Sequence, residues 1–217
     1  LASVTIGGSL LGGEGVVSGR IFSTGAMGAV RITGDVQGAG GQQSGGITAN
    51  GTLSQVTIGG SLLGGAGQES GRIFSNGAMG KVNITGDVRG AGGFDSGLIF
   101  TLNSLASVTI GGSLLGGGGT FSGRIISVRA MGAVRITGNV QGAGGNSSAT
   151  IVSQSTLASV TIGGSLLGGS ATESGHISSA LAMGAVRITG DVQGAGGFSS
   201  GSISSESTLA SVTIGGS

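Results

Sequence analysis

The chain repeats itself every 26 residues, and no insertion or deletion breaks the register. L-A-S-V-T-I-G-G-S-L-L-G-G opens the sequence at Leu1 and returns at Leu105 and Leu157, with L-S-Q-V-T-I-G-G-S-L-L-G-G at Leu53. Between these copies stands M-G-A-V-R-I-T-G-D-V-Q-G-A-G-G, beginning at Met27 and Met183. The copy at Met131 has Asn139 for the aspartate, and the copy at Met79 reads M-G-K-V-N-I-T-G-D-V-R-G-A-G-G. The two phrases alternate, so each marks one structural unit, and a Leu-type unit with a Met-type unit makes a pair that recurs as a super-repeat. Eight full units are present, and Leu209 to Ser217 repeats Leu1 to Ser9. Self-similarity at a fixed period of this size is the signature of a solenoid or array.

Numbered from its Leu or Met, each unit carries Val at position 4 and Ile at position 6, from Val4 and Ile6 to Val212 and Ile214. A polar residue stands between them, as in Thr5, Arg31 and Asn83. This alternation predicts a strand with one buried face. Glycine at position 8 in every unit predicts a corner directly after it. Leu or Val at position 10 supplies a second short strand, and the irregular positions 13–17 read as a loop. Ser stands at position 18 and Ile at position 21 in all eight units, which predicts a third strand near positions 19 to 24.

No helical stripe competes with this reading, and glycine density on this scale disfavours a helix. The expected fold is therefore all-β: a single-stranded parallel β-helix, or β-solenoid, in which each repeat unit is one coil of three short strands. Right-handed coiling is expected, because crossover connections favour that hand. One coil alone buries too little to fold; stacking joins each strand to the coils above and below at about 4.8 Å, so eight coils give a rod about 40 Å long. Residues 1–217 read as one continuous segment, eight coils and the start of a ninth. Because it starts and stops inside its own repeat, the expectation is an uncapped piece of a longer array.

Composition removes most other classes. Proline is absent and the 53 glycines lack an every-third spacing, which rules out a collagen helix. Hydrophobic residues at 37 % are too many for a disordered chain. Charged residues at 8 % and a net charge of +1 provide no basic field for nucleic acid. No apolar run is long enough for a spanning helix, so membrane insertion is not expected. With no cysteine, disulfides and thiolate metal sites are excluded together.

The search for chemistry yields weak constellations. Asp35, Asp87 and Asp191 recur every second coil, but calcium needs six to eight oxygens gathered in one place, so no metal site and no cofactor are expected. Glu69 and Asp95 share position 17 of adjacent coils, with Arg72 and Arg89 near them in register. Stacking would set the two carboxyls side by side and raise the pKa of one. His176 has Ser202 in the next coil and Glu173 three residues earlier, the outline of a base, a nucleophile and an orienter. Position 20, which holds His176, also holds Arg20, Leu98 and Thr150, and this variety reads as an exposed site. No catalytic residue is assigned. Sequons at Asn50, Asn83 and Asn146 follow from the abundance of Ser and Thr.

Two outward columns are better candidates for contact. Phe22, Phe74, Phe100, Ile126 and Val152 lie at position 22 and form an apolar stripe that fades to serine at Ser178 and Ser204. Leu11, Leu63, Leu115 and Leu167 form a second column in alternate coils. A regular threonine face for ice is interrupted, because Arg31, Arg135 and Arg187 alternate with the threonines of position 5.

The phrases S-V-T-I-G-G-S-L and A-V-R-I-T-G-D-V, alternating over essentially the whole chain, resemble the glycine-rich β-strand-repeat proteins of bacterial cell surfaces. More loosely, they are similar to the β-helices of filamentous haemagglutinin and autotransporter passengers, although those vary far more between rungs. The resemblance implies a right-handed β-helix in an extracellular stalk, adhesin or fibre. The functional expectation is a non-catalytic surface rod that self-associates end to end or laterally, or contacts surface glycans or neighbouring surface proteins. A carbohydrate-binding or polysaccharide-acting β-helix is the alternative, and an ice-binding solenoid the third.

Overall fold

The computed structural model describes residues 1–216, which form an all-β, three-sheet parallel solenoid of about eight turns at about 26 residues per turn. No helix occurs among the described residues. The second coil shows the plan, with strands Met27–Ile32, Val36–Gln37 and Gly46–Ala49. Each joins its counterparts in neighbouring coils, giving parallel sheets of nine, eight and eight strands in chain order. Every strand residue faces its own copy in the next coil, as Val4 faces Val30, Val30 faces Val56 and Ile21 faces Ile47.

Identical positions therefore stack into ladders, and the ladders are the core. Met27 and Leu53 from position 1, Val30 and Ile32 from the first strand, Val36 from the second and Ile47 from the third are each fully buried. Side chains alternate across the first strand, so Val30 and Ile32 go in while Arg31 goes out.

Two polar ladders brace the bends. At position 9 the Asp35 carboxylate accepts from the Ser61 N–H at 2.7 Å, and Ser61 Oγ accepts from the Asp87 N–H at 3.1 Å. Asp87 repeats the contact on Ser113, and Asn139 on Ser165. A carboxylate or amide oxygen thus holds the coil above, which explains why Asn139 can replace an aspartate. At position 23 an inward hydroxyl, replaced only by Ala49 in the second coil, braces the turn into the next coil. Ser75 donates to the Gly77 carbonyl at 2.9 Å, and Ser127 to the Arg129 carbonyl at 2.7 Å.

The pairwise alternation of coils has a steric cause. A Cβ on Gly28 would lie 1.6 Å from the Ala2 carbonyl oxygen, and one on Gly132 would lie 1.8 Å from that of Ala106. The Met-type coil therefore gives way at position 2. At position 7 the Leu-type coil gives way instead, since a Cβ on Gly59 would meet the Thr33 carbonyl at 2.2 Å. The Leu-type coil gives way again at position 13, where a Cβ on Gly65 would meet the Ala39 carbonyl at 2.3 Å, so adjacent coils differ and alternate coils match.

Candidate contact face

The third strand and the loop before it carry the residues that change from coil to coil. The loop is built the same way each time. The position-18 serine accepts the position-13 backbone N–H at 2.8 to 3.0 Å in every coil, from Ser18 on Gly13 to Ser200 on Ala195. Six of these serines, from Ser44 to Ser174, are fully buried. The chain reaches this clasp with position 17 in the left-handed region throughout, including Val17 at φ 61° and Phe121 at φ 61°. Position 19 is left-handed too; it is Gly everywhere except Ala149, at φ 52°. Non-glycine residues held at positive φ store strain, most of all a β-branched valine.

That turn lays the loop over the outer side of the third sheet, and position 20 ends beneath it. Arg72, Leu98, Thr150 and His176 are 9 %, 3 %, 1 % and 8 % exposed. The expectation of an exposed variable column at position 20 is thus corrected: position 17 of the same and neighbouring coils covers it. In the first coils this makes a polar chain, with Arg20 donating to Gln43 at 3.3 Å, Gln43 to Glu69 at 3.0 Å, and Arg72 paired with Glu69.

The carboxylates expected to form a stacked pair are held apart in role. Glu69 belongs to Arg72 and Gln43, whereas Asp95 faces Arg124 at 3.9 Å. The Asp95 carboxyl is pushed up chiefly by burial; Arg124 opposes this, and Glu69 adds to it only after that. The basic partner is therefore Arg124, which register alone does not single out. Arg89 stands on the second sheet, where it lines a cleft with Leu115 and Gln141.

His176 and Ser202 do meet, with Nδ1 2.7 Å from Oγ. However, Ser202 donates its own proton to the Ser199 carbonyl at 2.7 Å, so Oγ accepts from Nδ1–H. That direction is the reverse of a base drawing a proton from a nucleophile. It also fixes the tautomer, leaving Nε2 to accept from Ser204 Oγ at 3.3 Å. Burial holds the ring below the ordinary histidine range, opposed by the Glu173 charge.

The apolar stripe at position 22 is present but graded. Phe22 is 44 % exposed, Phe74, Phe100 and Val152 are half-buried, and Ile126 is buried at 8 %. Its rings are tied to neighbours: Phe74 packs on Phe100 at 5.4 Å between centroids, and Arg20 and Arg72 lie 4.6 and 5.0 Å over Phe22 and Phe74. A second aromatic pair, Phe94 with Phe121 at 5.3 Å, comes from the loop, with Arg124 4.4 Å over Phe121. These loop phenylalanines extend the stripe sideways. Of the second column, Leu11 is 59 % exposed and Leu63, Leu115 and Leu167 are half-buried.

No family model, no curated protein and no solved structure matches this chain. Its chemistry therefore has to be read from this face. Arginines, carboxylates, phenylalanines and the lone histidine gather there, around two depressions. One, of about 180 Å³, has Leu98, Phe100 and Ile126 among its walls; the other, of about 290 Å³, is polar and includes His176, Glu173 and Glu206. Arg124 borders both. Among the described residues no group of three or more His, Asp or Glu is placed to hold a metal.

Proposed function

We propose that this chain is a non-catalytic structural rod of the bacterial cell surface, of the kind the glycine-rich β-strand-repeat proteins represent. It acts by reach and by contacts made along one side. The observation that carries this reading is that most departures from the two-coil repeat gather on the third strand and the loops flanking it, on coils that stack residue for residue. A catalytic solenoid needs one special place; a rod needs uniform stacking and a surface free to vary. The apolar groups on that surface, Phe22, Phe94 and Phe198 at 44 %, 44 % and 78 % exposure, suit lateral association or docking on neighbouring surface proteins and glycans.

End-to-end association is the second contact mode. Each coil pairs with the next through the same parallel register, so the coils of one chain can continue the sheets of another. Such joining is heterologous and does not close, so it yields filaments. Electron microscopy of the purified chain over a wide concentration range tests the proposal. Rods that lengthen well beyond about 40 Å, singly or in bundles, are the expected result. Short discrete particles at every concentration would overturn the self-associating rod.

A further inference from the structure

The outer face of the first sheet carries charge of one sign only. Positions 1 to 7 hold no aspartate or glutamate in any coil, while each of the four Met-type coils holds one cation there: Arg31, Lys81, Arg135 and Arg187. All four are exposed, and none forms an ion pair among the described residues. The third-sheet face differs, since Arg72 and Arg124 have carboxylates beside them. The aspartates that follow the first strand, Asp35 and Asp87 at position 9, lie past the bend and hold the serine N–H of the next coil.

The fourth coil keeps its cation by another route. Asn83 takes the place of the arginine at position 5, and Lys81 replaces the alanine at position 3. Side chains alternate along the strand, so positions 3 and 5 open on the same face, with Val82 between them buried on the other. The two positions stand about 7 Å apart, a distance that a lysine side chain can span. Loss of the arginine is thus matched by gain of a lysine on the same face.

Register sets these cations in a row along the rod. Position 5 reads Arg31, Thr57, Asn83, Thr109, Arg135 and onward to Arg187, each residue paired with the next. With coils about 4.8 Å apart, a cation recurs about every 10 Å. Threonine hydroxyls fill the intervals, and position-3 neighbours such as Ala29, Ser107 and Ala133 are small, which leaves the face low in relief.

Such a row fits a polymer whose own charges stand about 10 Å apart. A nucleic-acid strand carries a phosphate about every 3.4 Å, so most of its charges would meet threonine. An extended pyranose chain advances about one coil spacing, about 5 Å, per ring, so a carboxylate on every second ring falls on every second coil. Its hydroxyls then meet the threonines.

We propose that the outer face of the first sheet binds a linear acidic polysaccharide along the rod axis, with one uronate carboxylate per disaccharide on each of Arg31, Lys81, Arg135 and Arg187. The proposal rests on the rod reading in naming one of its glycan partners, and it uses a different sheet from the phenylalanine stripe. Binding is read on single rods, so its failure is distinct from a failure of the rods to assemble.

The test is calorimetric titration of the whole chain at low ionic strength with three probes. A hyaluronan octasaccharide bears four carboxylates on alternate rings, tetragalacturonate bears four on successive rings, and maltooctaose bears none. The hyaluronan fragment should bind saturably, at least fivefold tighter than tetragalacturonate, and weaken as salt is added. Maltooctaose should not bind. The triple variant Arg31→Asn, Arg135→Asn, Arg187→Asn gives those coils the residue that Asn83 already provides at position 5, so it should fold with an unchanged circular dichroism spectrum and bind the hyaluronan fragment at least tenfold more weakly. Lys81→Ala should weaken binding at least twofold, and adding Asn83→Arg to it should restore the loss. Arg89→Gln, on the second sheet, should leave binding unchanged. No saturable binding, tetragalacturonate or maltooctaose binding as tightly as the hyaluronan fragment, or equal losses from Arg89→Gln and Lys81→Ala would each overturn the site.

Discussion

The first two sheets and the third-sheet face are built from the same coils, yet they tolerate change very differently. In the first two sheets, each inward position presses on its copy in the next coil through a buried ladder, and corner bonds and backbone contacts under 2 Å from an added Cβ tie the coils further. One altered residue there disturbs two interfaces at once. Over the third sheet the outward residues meet a loop instead, and the loop's shape is set by a serine clasp that ignores its neighbours' identity. The contrast shows where a stacked fold leaves room for function: only where side chains point away from the stacking contacts.

The sharpest way to break this comparison is to add one methyl group on each side of it. Gly132→Ala places a Cβ 1.8 Å from the Ala106 carbonyl, whereas a Cβ on Gly118 meets nothing within 4 Å. Gly132→Ala should cost more than about 3 kcal/mol, and Gly118→Ala should stay within about 0.5 kcal/mol. Denaturant melts of the two variants read the difference, and equal costs would dissolve the contrast.

Removing the clasp tests whether the variable face has any fixed skeleton. Ser96 is fully buried and holds the Ala91 N–H at 2.9 Å. Ser96→Ala leaves that donor unmet and should lose about 1 to 3 kcal/mol, with faster hydrogen exchange confined to the loop. A smaller effect runs the other way at Ala149, the one non-glycine at position 19 and left-handed at φ 52°. Ala149→Gly should stabilise the chain by about 1 kcal/mol, seen as a raised midpoint.

The smallest effect is on pH dependence. Burial lowers the His176 pKa, so near pH 6.5 the unfolded chain binds more protons than the native one. Stability therefore rises with pH through that window and falls on acidification. His176→Gln should flatten this part of the profile between about pH 7 and 5. Asp95 acts with the opposite sign at lower pH. Its raised pKa, due first to burial, keeps a proton in the native state, so stability declines as pH climbs past about 4. Asp95→Asn should remove that decline.

The fold is legible in the sequence because stacking repeats the same physical demand at the same place in every coil. Val30, Ile32, Val36 and Ile47 declare themselves inward by recurrence alone, and register follows from the unbroken period. What recurrence hides is the difference between a residue that is constant for burial and one constant for bonding. Ser18 and its copies stand out as invariant, yet nothing in the string says that they bond five residues back. The loop's left-handed entry is equally hidden, since Val17 and Phe121 are poor advertisements for positive φ. Without that turn the covering of position 20 cannot be foreseen, so the sequence passes over Arg124 and puts His176 at the surface. Register does bring His176 to Ser202, but the direction of the proton depends on Ser199, outside the pattern.

The most direct measurement of the central claim compares the chain with a Phe22→Ser, Phe74→Ser, Phe100→Ser variant by electron microscopy at matched concentrations. Serine already fills that column at Ser178 and Ser204, so the stack should survive with the same circular dichroism and nearly the same melting point. If the variable face makes the contacts, the parent forms laterally bundled rods and the variant forms single ones. Bundling that persists unchanged in the variant would contradict the assignment of the contacts to the position-22 stripe.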